Sequence, residues 1–461
     1  MREPITEDGA GFRAWLAQAP GWAVAGVALL LPLYFDPYAE LPFEQAKVVF
    51  FRCATLVTAL FFVGARAFGA ARPETVSSSA VHLLPAVMVF AATQGLATVF
   101  SIDPWVSVWG TTDKHGTATV LTTLLFFFLV SRIARAPEAR RRIVSALLAG
   151  SVPVALYSLT QLLNLDPLEW ETDSISPMVA TMGRSNFFGA YLAMVIPFTL
   201  ARLLNATAKS GAASGVPKTE FPQPPANRWR WAALASLQGA CIFLTQARAA
   251  WCGALVGTIV SLCAWRSRPK GHGTGGRVFP LLAVVVTGGI LFVVMNVVDI
   301  ASLGRSGTTA PVAEVMRSRT NTVQSRLTIW RTTLELSREH WLLGHGPETF
   351  ASVFDSSALA PGGTVVVRHP HNIVLEYLFA TGVLGLGAFV FLVARFYGST
   401  MTLLYQTRGG PDRAFLGALV GSVSAYLVQA QFNPDVVVLS VLFWLNLAFS
   451  AGASSDRSAA T

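Results

Sequence analysis

Two arginines and a histidine carry the chemistry most easily read from this chain. Arg248 lies in TQARAAW between two apolar runs, Trp231 to Gln246 and Ala249 to Trp265. Arg184 lies in GRSNFFGAY, at the start of another run. With the N-terminus inside, both fall on the outer face of a membrane, where positive charge is scarce. A cation held at a boundary against that bias points to an anion. Ser185 and Asn186 are N-cap types, and a helix N-terminus beside a guanidinium suits a phosphate. Two planar guanidinium forks could hold a diphosphate and offset its charge as it leaves.

The third feature is HPHN, His369 to Asn372. Pro370 marks a helix start there, which places His371 in the first turn, where the helix dipole disfavours an imidazolium. A neutral imidazole accepts a proton at ordinary pH. Glu376, at the outer end of the same helix, would orient a group or cap a polar cavity. Plainer readings stand beside these. A boundary arginine also serves as a snorkelling contact to lipid headgroups, and a histidine at a helix start is commonly structural. The pair His369 and His371 lacks the carboxylate or cysteine cluster of a metal site, so neither metal nor cofactor is expected. His115, in SIDPWVSVWGTTDKHG, is a further polar candidate, with Asp113 and Lys114 beside it forming a solvated turn. His345 reads as part of a loop turn, and no role is read for His82, His272 or His340.

These residues need a membrane to position them. Of the 461 residues, 53% are hydrophobic and 13% charged, too apolar for a soluble chain of this length. Twelve apolar runs approach spanning length, near 20–35, 48–68, 80–100, 116–133, 143–163, 187–204, 231–247, 249–265, 279–298, 372–394, 414–432 and 435–452. The expected fold is all-α: a polytopic integral membrane protein of about 12 transmembrane helices, with one large periplasmic loop between helices 9 and 10. The expected division is 1–298 for helices 1–9, 299–370 for the loop, 371–452 for helices 10–12 and 453–461 for a disordered cytoplasmic tail. The net charge of +9 gathers in inside loops, Arg132 to Arg142, Arg202 to Arg230 and Arg266 to Arg277, while Asp166 to Asp173 is acidic and outside. That is the positive-inside bias and leaves nothing for nucleic acid to explain. Stretch 205–228 reads as a disordered linker and 266–277 as similar. No phosphate-binding glycine motif accompanies them. The first apolar run reads as a retained helix without a cleavage site. Cys53, Cys241, Cys252 and Cys263 read as small core residues.

The long loop, Asp299 to about Pro370, begins loosely. It then shows Leu327, Trp330, Leu334 and Trp341 at helical spacing, with Arg331, Glu335, Arg338 and Glu339 opposite. Two readings fit: a helix lying on the outer leaflet with tryptophans at headgroup depth, or one packed on the loop's own small core. Gly344 and Gly346 would end it.

In pattern and order these segments resemble the bacterial O-antigen ligase and polymerase superfamily of membrane glycosyltransferases. Its G-R-x-N segment is matched by Gly183, Arg184 and Asn186. Its [ST]-x-[SA]-R-[GA] segment is matched by Thr245, Ala247, Arg248 and Ala249, with ARA standing where SRG is common. The loop pattern S-R…W…G-x-G…F is matched by Ser325, Arg326, Trp330, Gly344, Gly346 and Phe350. H-N-x-x-L-x…G-x-x-G is matched by His371, Asn372, Leu375, Gly382 and Gly385. The likeness spans roughly residues 110 to 395.

The resemblance implies a glycan donor carried on undecaprenyl diphosphate and used at the periplasmic face of the bacterial inner membrane. The acceptor would be a hydroxyl of lipid A–core in a ligase, of another lipid-linked glycan in a polymerase, or of a protein. Transfer would be inverting and metal-independent. By position, Arg184 and Arg248 would bind the donor diphosphate and His371 would act as general base. Asn186, Arg326, His369, Asn372 and Glu376 would support them. The rival from another class is a transporter or flippase of lipid-linked glycans, although the sequence shows neither inverted repeats nor paired broken helices. A purely structural assembly protein is a third reading.

Overall fold

The computed structural model describes residues 7–39, 41–70, 83–111, 115–168, 176–207, 228–266, 325–355, 367–407 and 411–453. The apolar run 279–298, the loop up to residue 324, the linker core 208–227 and the basic stretch from 267 lie outside these residues. So do His82, Asp113, Lys114, His272 and the tail 454–461. Among the described residues every regular element is a helix.

The helices are α1 (Glu7–Leu30), α2 (Glu44–Ala67), α3 (Leu84–Val99), α4 (Pro104–Trp109), α5 (Thr117–Ile133), α6 (Pro137–Leu162) and α7 (Ser185–Thr207). They continue as α8 (Arg228–Leu244), α9 (Arg248–Arg266), α10 (325–336), α11 (Phe350–Val353), α12 (Ile373–Gln406), α13 (Pro411–Gln429) and α14 (Val437–Ala453). Eleven of the twelve apolar runs carry a helix, and the twelfth is the run at 279–298. Five helices, α2, α6, α7, α9 and α12, are long and apolar enough to cross a membrane, and α3, α5 and α14 are shorter apolar helices. The first helix differs from its run at 20–35. It starts at Glu7, carries Pro20 internally and stops at Leu30, two residues before Pro32, whose missing N–H cannot extend a helix.

Small residues set the tightest packing. A Cβ on Gly257 of α9 would lie 2.7 Å from the Gly421 carbonyl oxygen of α13, and one on Gly253 would lie 2.9 Å from that of Ala425. Such approaches let membrane helices associate without a hydrophobic driving force. Replacing Gly257 with Ala should therefore cost about 1–3 kcal/mol, read as a lower thermal unfolding midpoint in detergent. Gly239→Ala, at a site with nothing within 4 Å, should leave the midpoint in place. Polar side chains add cross-links. Thr199 Oγ1 donates to Gln238 Oε1 at 2.8 Å, and Gln238 Nε2 donates to Ser151 Oγ at 3.0 Å, tying α7, α8 and α6.

The outer surface is apolar, as a bilayer solvent requires. Leu60, Val63, Met88, Val99, Phe243 and Val390 all face outward. Cys53 and Cys263 do too, whereas Cys241 and Cys252 are buried. The core assignment of the first pair is thus corrected: in a lipid-facing helix, apolar character does not separate inside from outside.

Charge divides the bundle into two ends. Arg66, Arg132, Arg202 and Arg413 lie at one. There Arg202 Nη2 donates to Ser145 Oγ at 3.2 Å, and Arg413 Nη1 donates to the Leu404 carbonyl at 2.6 Å. The starts of α7, α9 and α12 lie at the other. At this second end α10 packs on a small core of Ile329, Phe350, Phe354, Val367 and Phe379, while Leu327, Leu334 and Trp341 are exposed. The loop therefore has a core of its own, with apolar side chains left outward. The helix ends at 336, short of Gly344 and Gly346. Those glycines, at φ 75° and 108°, shape a separate turn, and Trp341 lies beyond the helix.

Candidate active site

The segment before Arg184 is clamped by residues distant in sequence. Ala180 N–H donates to Gln161 Oε1 at 2.7 Å, Thr181 Oγ1 to the Pro32 carbonyl at 2.5 Å, and Lys47 Nζ to the Thr181 carbonyl at 2.5 Å. Lys47 is only 1% exposed. Gly183 turns the chain at φ 76°, and a Cβ there would lie 2.5 Å from the Phe43 ring. Arg184 follows, exposed, and its carbonyl accepts from Phe188 N–H at 3.1 Å. The helix thus begins at Ser185, so Ser185 and Asn186 are first-turn residues and not its caps. Asn186 instead donates from Nδ2 to Asn433 Oδ1 at 2.8 Å.

Arg248 is the first residue of α9, after a tight turn with Gln246 at φ 55°. Thr245 Oγ1 accepts from Ala247 N–H at 3.3 Å, so the turn closes with ARA in place of SRG. The two arginine-bearing helix starts lie side by side. A Cβ on Gly189 of α7 would lie 2.7 Å from Ala250 Cβ and 3.1 Å from Thr245 Oγ1.

His371 is not in the first turn of α12. Asn372 is the N-cap, with Oδ1 accepting from Val374 N–H at 2.9 Å and Leu375 N–H at 3.1 Å. Asn outranks His as a cap because its carbonyl reaches these amides. His371 sits one residue earlier in the left-handed region, at φ 55°. Its pKa is pushed down to about 3, first by burial and then by the charges of Arg326, His369 and Arg184. The neutral imidazole expected from the helix dipole is present for a different reason. Arg326, at the start of α10, has its own pKa lowered by burial and by Arg248. These couplings link His371 to Arg184 and Arg326, and Arg326 in turn to Arg248.

Hydrogen bonds fix that arrangement. Trp330 Nε1 donates to the Pro370 carbonyl at 3.0 Å, tying α10 to the histidine segment. Asn372 Nδ2 donates to the Gln431 carbonyl at 3.1 Å, and Ile373 N–H to that of Ala430 at 2.9 Å. The turn after α13 therefore anchors α12 through Gln431 and α7 through Asn433. His369 Nδ1 lies 3.5 Å from Glu376 Oε1.

Helix α12 is broken at Gly382 (φ 63°, ψ −167°), a break the sequence reading did not anticipate. The 341–346 loop repairs it. His345 N–H donates to the Phe379 carbonyl at 2.8 Å, Gly346 N–H to that of Ala380 at 3.0 Å, and Val383 N–H to that of Trp341 at 2.9 Å. A Cβ on Gly382 would collide with the Leu342 backbone. The G-x-G and G-x-x-G motifs are thus two halves of one contact. Gly382→Ala should cost about 1–3 kcal/mol in backbone strain and unseat the loop, measurable as faster proteolysis after residues 338–341. His345 is buried in this contact, stacked on Phe379 at 4.4 Å, as a structural residue.

Beside the histidines a cleft with about 130 Å³ of room for water-sized groups runs between α3, α5, α12 and α14. His115 Nε2 and Glu44 Oε1 are 2.7 Å apart, and the same oxygen accepts from Val437 N–H at 2.5 Å. Burial lowers the His115 pKa, but the hydrogen bond and charge of Glu44, with Glu348 and Asp435, outweigh it and raise the value to about 9. Burial raises Asp435 to about 6. Of these residues the sequence reading singled out only His115. Asp435, in NPDVVV between two apolar runs, broke the apolar pattern as Arg248 did; Glu44 and Glu348 carried no local signal.

The fold and geometry agree with one comparison. Residues 231–390 match the O-Antigen ligase family. The match runs from α8 into α12 and includes Arg248, Arg326, His369, His371 and Glu376. It supports the O-antigen ligase and polymerase resemblance carried by the motifs. Arg184, Glu44, His115 and Asp435 fall outside the matched segment. No curated protein matches the chain.

Proposed function

We propose that this protein transfers a glycan from undecaprenyl diphosphate to an acceptor hydroxyl at the periplasmic face of the bacterial inner membrane. The observation that carries the reading is the gathering of Arg184, Arg248, Arg326 and His371 at the bundle end opposite the basic end. By the positive-inside rule the basic end is cytoplasmic, so the gathered site faces outward. The arginines bind the diphosphate through charge-assisted hydrogen bonds and stabilise it as the leaving group. The acceptor oxygen attacks the anomeric carbon from the opposite face, with inversion. His371 takes the hydroxyl proton as the carbon–oxygen bond to the diphosphate breaks. The described part of the loop, 325–355, brings Arg326 to the site, and the polyprenyl chain runs along apolar helix faces.

The test is reconstitution with undecaprenyl-diphosphate-linked glycan, with and without lipid A–core. One glycan joined to core marks a ligase, and a ladder formed without core marks a polymerase. Transfer in neither, with the lipid-linked glycan instead moved between leaflets, overturns the transferase reading.

A further inference from the structure

We propose that the cleft between α3, α5, α12 and α14 is the acceptor subsite, and that it takes an uncharged, hydroxyl-rich sugar and excludes a phosphorylated one. This rests on the transferase reading and names the acceptor's chemistry. Charge is the first argument. Among the described residues, Glu44, Glu348, Glu376 and Asp435 line or adjoin the cleft and outnumber the cations beside it, His115 and Arg52, whose guanidinium donates to the lining Thr119 Oγ1. The guanidinium groups of Arg184, Arg248 and Arg326 gather on the His371 side. His371 thus stands between a cationic pocket suited to a departing diphosphate and an anionic cleft that repels one. Carboxylates accept hydrogen bonds from sugar hydroxyls and cannot accept them from a phosphate dianion, which has no proton to give.

Gln94 is the second, independent argument. Its side chain is 5% exposed and lines the cleft, and it makes no hydrogen bond among the described residues. An amide that faces the cleft without a protein partner is free to bond a hydroxyl-bearing ligand there. Aromatic walls from Phe90, Tyr377 and Trp444 complete the mix of apolar surface and few polar groups found in small-molecule sites.

The full chain in nanodiscs would be titrated with maltose, N,N′-diacetylchitobiose and trehalose, and with trehalose 6-phosphate, by calorimetry. At least one neutral disaccharide should bind, and trehalose 6-phosphate should bind about tenfold more weakly than trehalose or not at all. Gln94→Leu should weaken the neutral sugar about tenfold, corresponding to one lost hydrogen bond, without lowering the thermal midpoint, because it replaces an unpaired buried amide with an apolar side chain. A purely structural Gln94 would instead lower the midpoint. No binding by any neutral probe, equal binding of the phosphorylated probe, or a lowered midpoint with unchanged sugar binding each overturns the proposal. Pyrophosphate titrated against Arg248→Ala separates the two readings. If pyrophosphate ignores that change while sugar binding still follows Gln94, the donor site falls and the cleft stands. The reverse pattern overturns the cleft alone.

Discussion

Alanine in place of His371 should lower glycan transfer by about 10²–10⁴-fold, the usual worth of a positioned general base, at an unchanged level of folded protein. His371→Asn should fall as far. Asn tolerates the left-handed backbone of this position but offers no basic nitrogen, so a shared loss separates chemistry from folding. The pH profile gives a finer check. The pKa of His371 is depressed to about 3, so the imidazole is neutral and able to accept a proton throughout the physiological range. Protonation, and the loss of activity that goes with it, should come only as pH falls through that value. The acid limb of kcat/KM, which reports the free enzyme, should therefore lie well below the ordinary histidine value near 6.5. A bound diphosphate offsets the arginine charges that help depress His371. The corresponding limb in kcat, which reports the complex, should then move to higher pH. A limb near 6.5 in kcat/KM would remove His371 as the titrating base.

The second large effect belongs to Arg248. On the proposed mechanism, Arg248→Ala removes a donor to the leaving diphosphate and should lower kcat by about 10²–10³-fold, as does loss of one oxyanion donor elsewhere. Arg248→Lys keeps the charge and loses the planar fork, so it should recover part of the activity and leave a clear deficit in kcat. Transfer by the Lys variant at the parental rate would show that a point charge suffices. The turn of Thr245 and Gln246 that presents Arg248 is local, and neither substitution disturbs it.

Much of this arrangement was legible residue by residue. Arg184 and Arg248 stood out because each borders an apolar run on the side expected to be poor in cations, a signal that needs no tertiary information. The helical content was legible for the same reason, since long apolar runs leave the backbone no other way to satisfy its hydrogen bonds. The placement of His371 was nearly right and its cause wrong. Pro370 located the helix start to within a few residues, but which residue caps it depends on side-chain hydrogen bonds, and the lowered pKa of His371 comes first from burial and then from charges such as Arg326, 45 positions away. The acidic cleft was illegible for a stronger reason. Glu44, Gln94, Glu348 and Asp435 come from four distant stretches, and each alone reads as an ordinary polar residue at a helix end or turn. Only their convergence is informative.

The junction at Gly382 has a consequence for how a bulky, lipid-borne substrate enters. Peeling residues 341–346 away would strand the peptide carbonyls of Phe379 and Ala380 in surroundings where no water replaces their partners. That stretch and the upper part of α12 consequently travel together as one rigid wedge. A donor must therefore reach the site past this wedge without parting it.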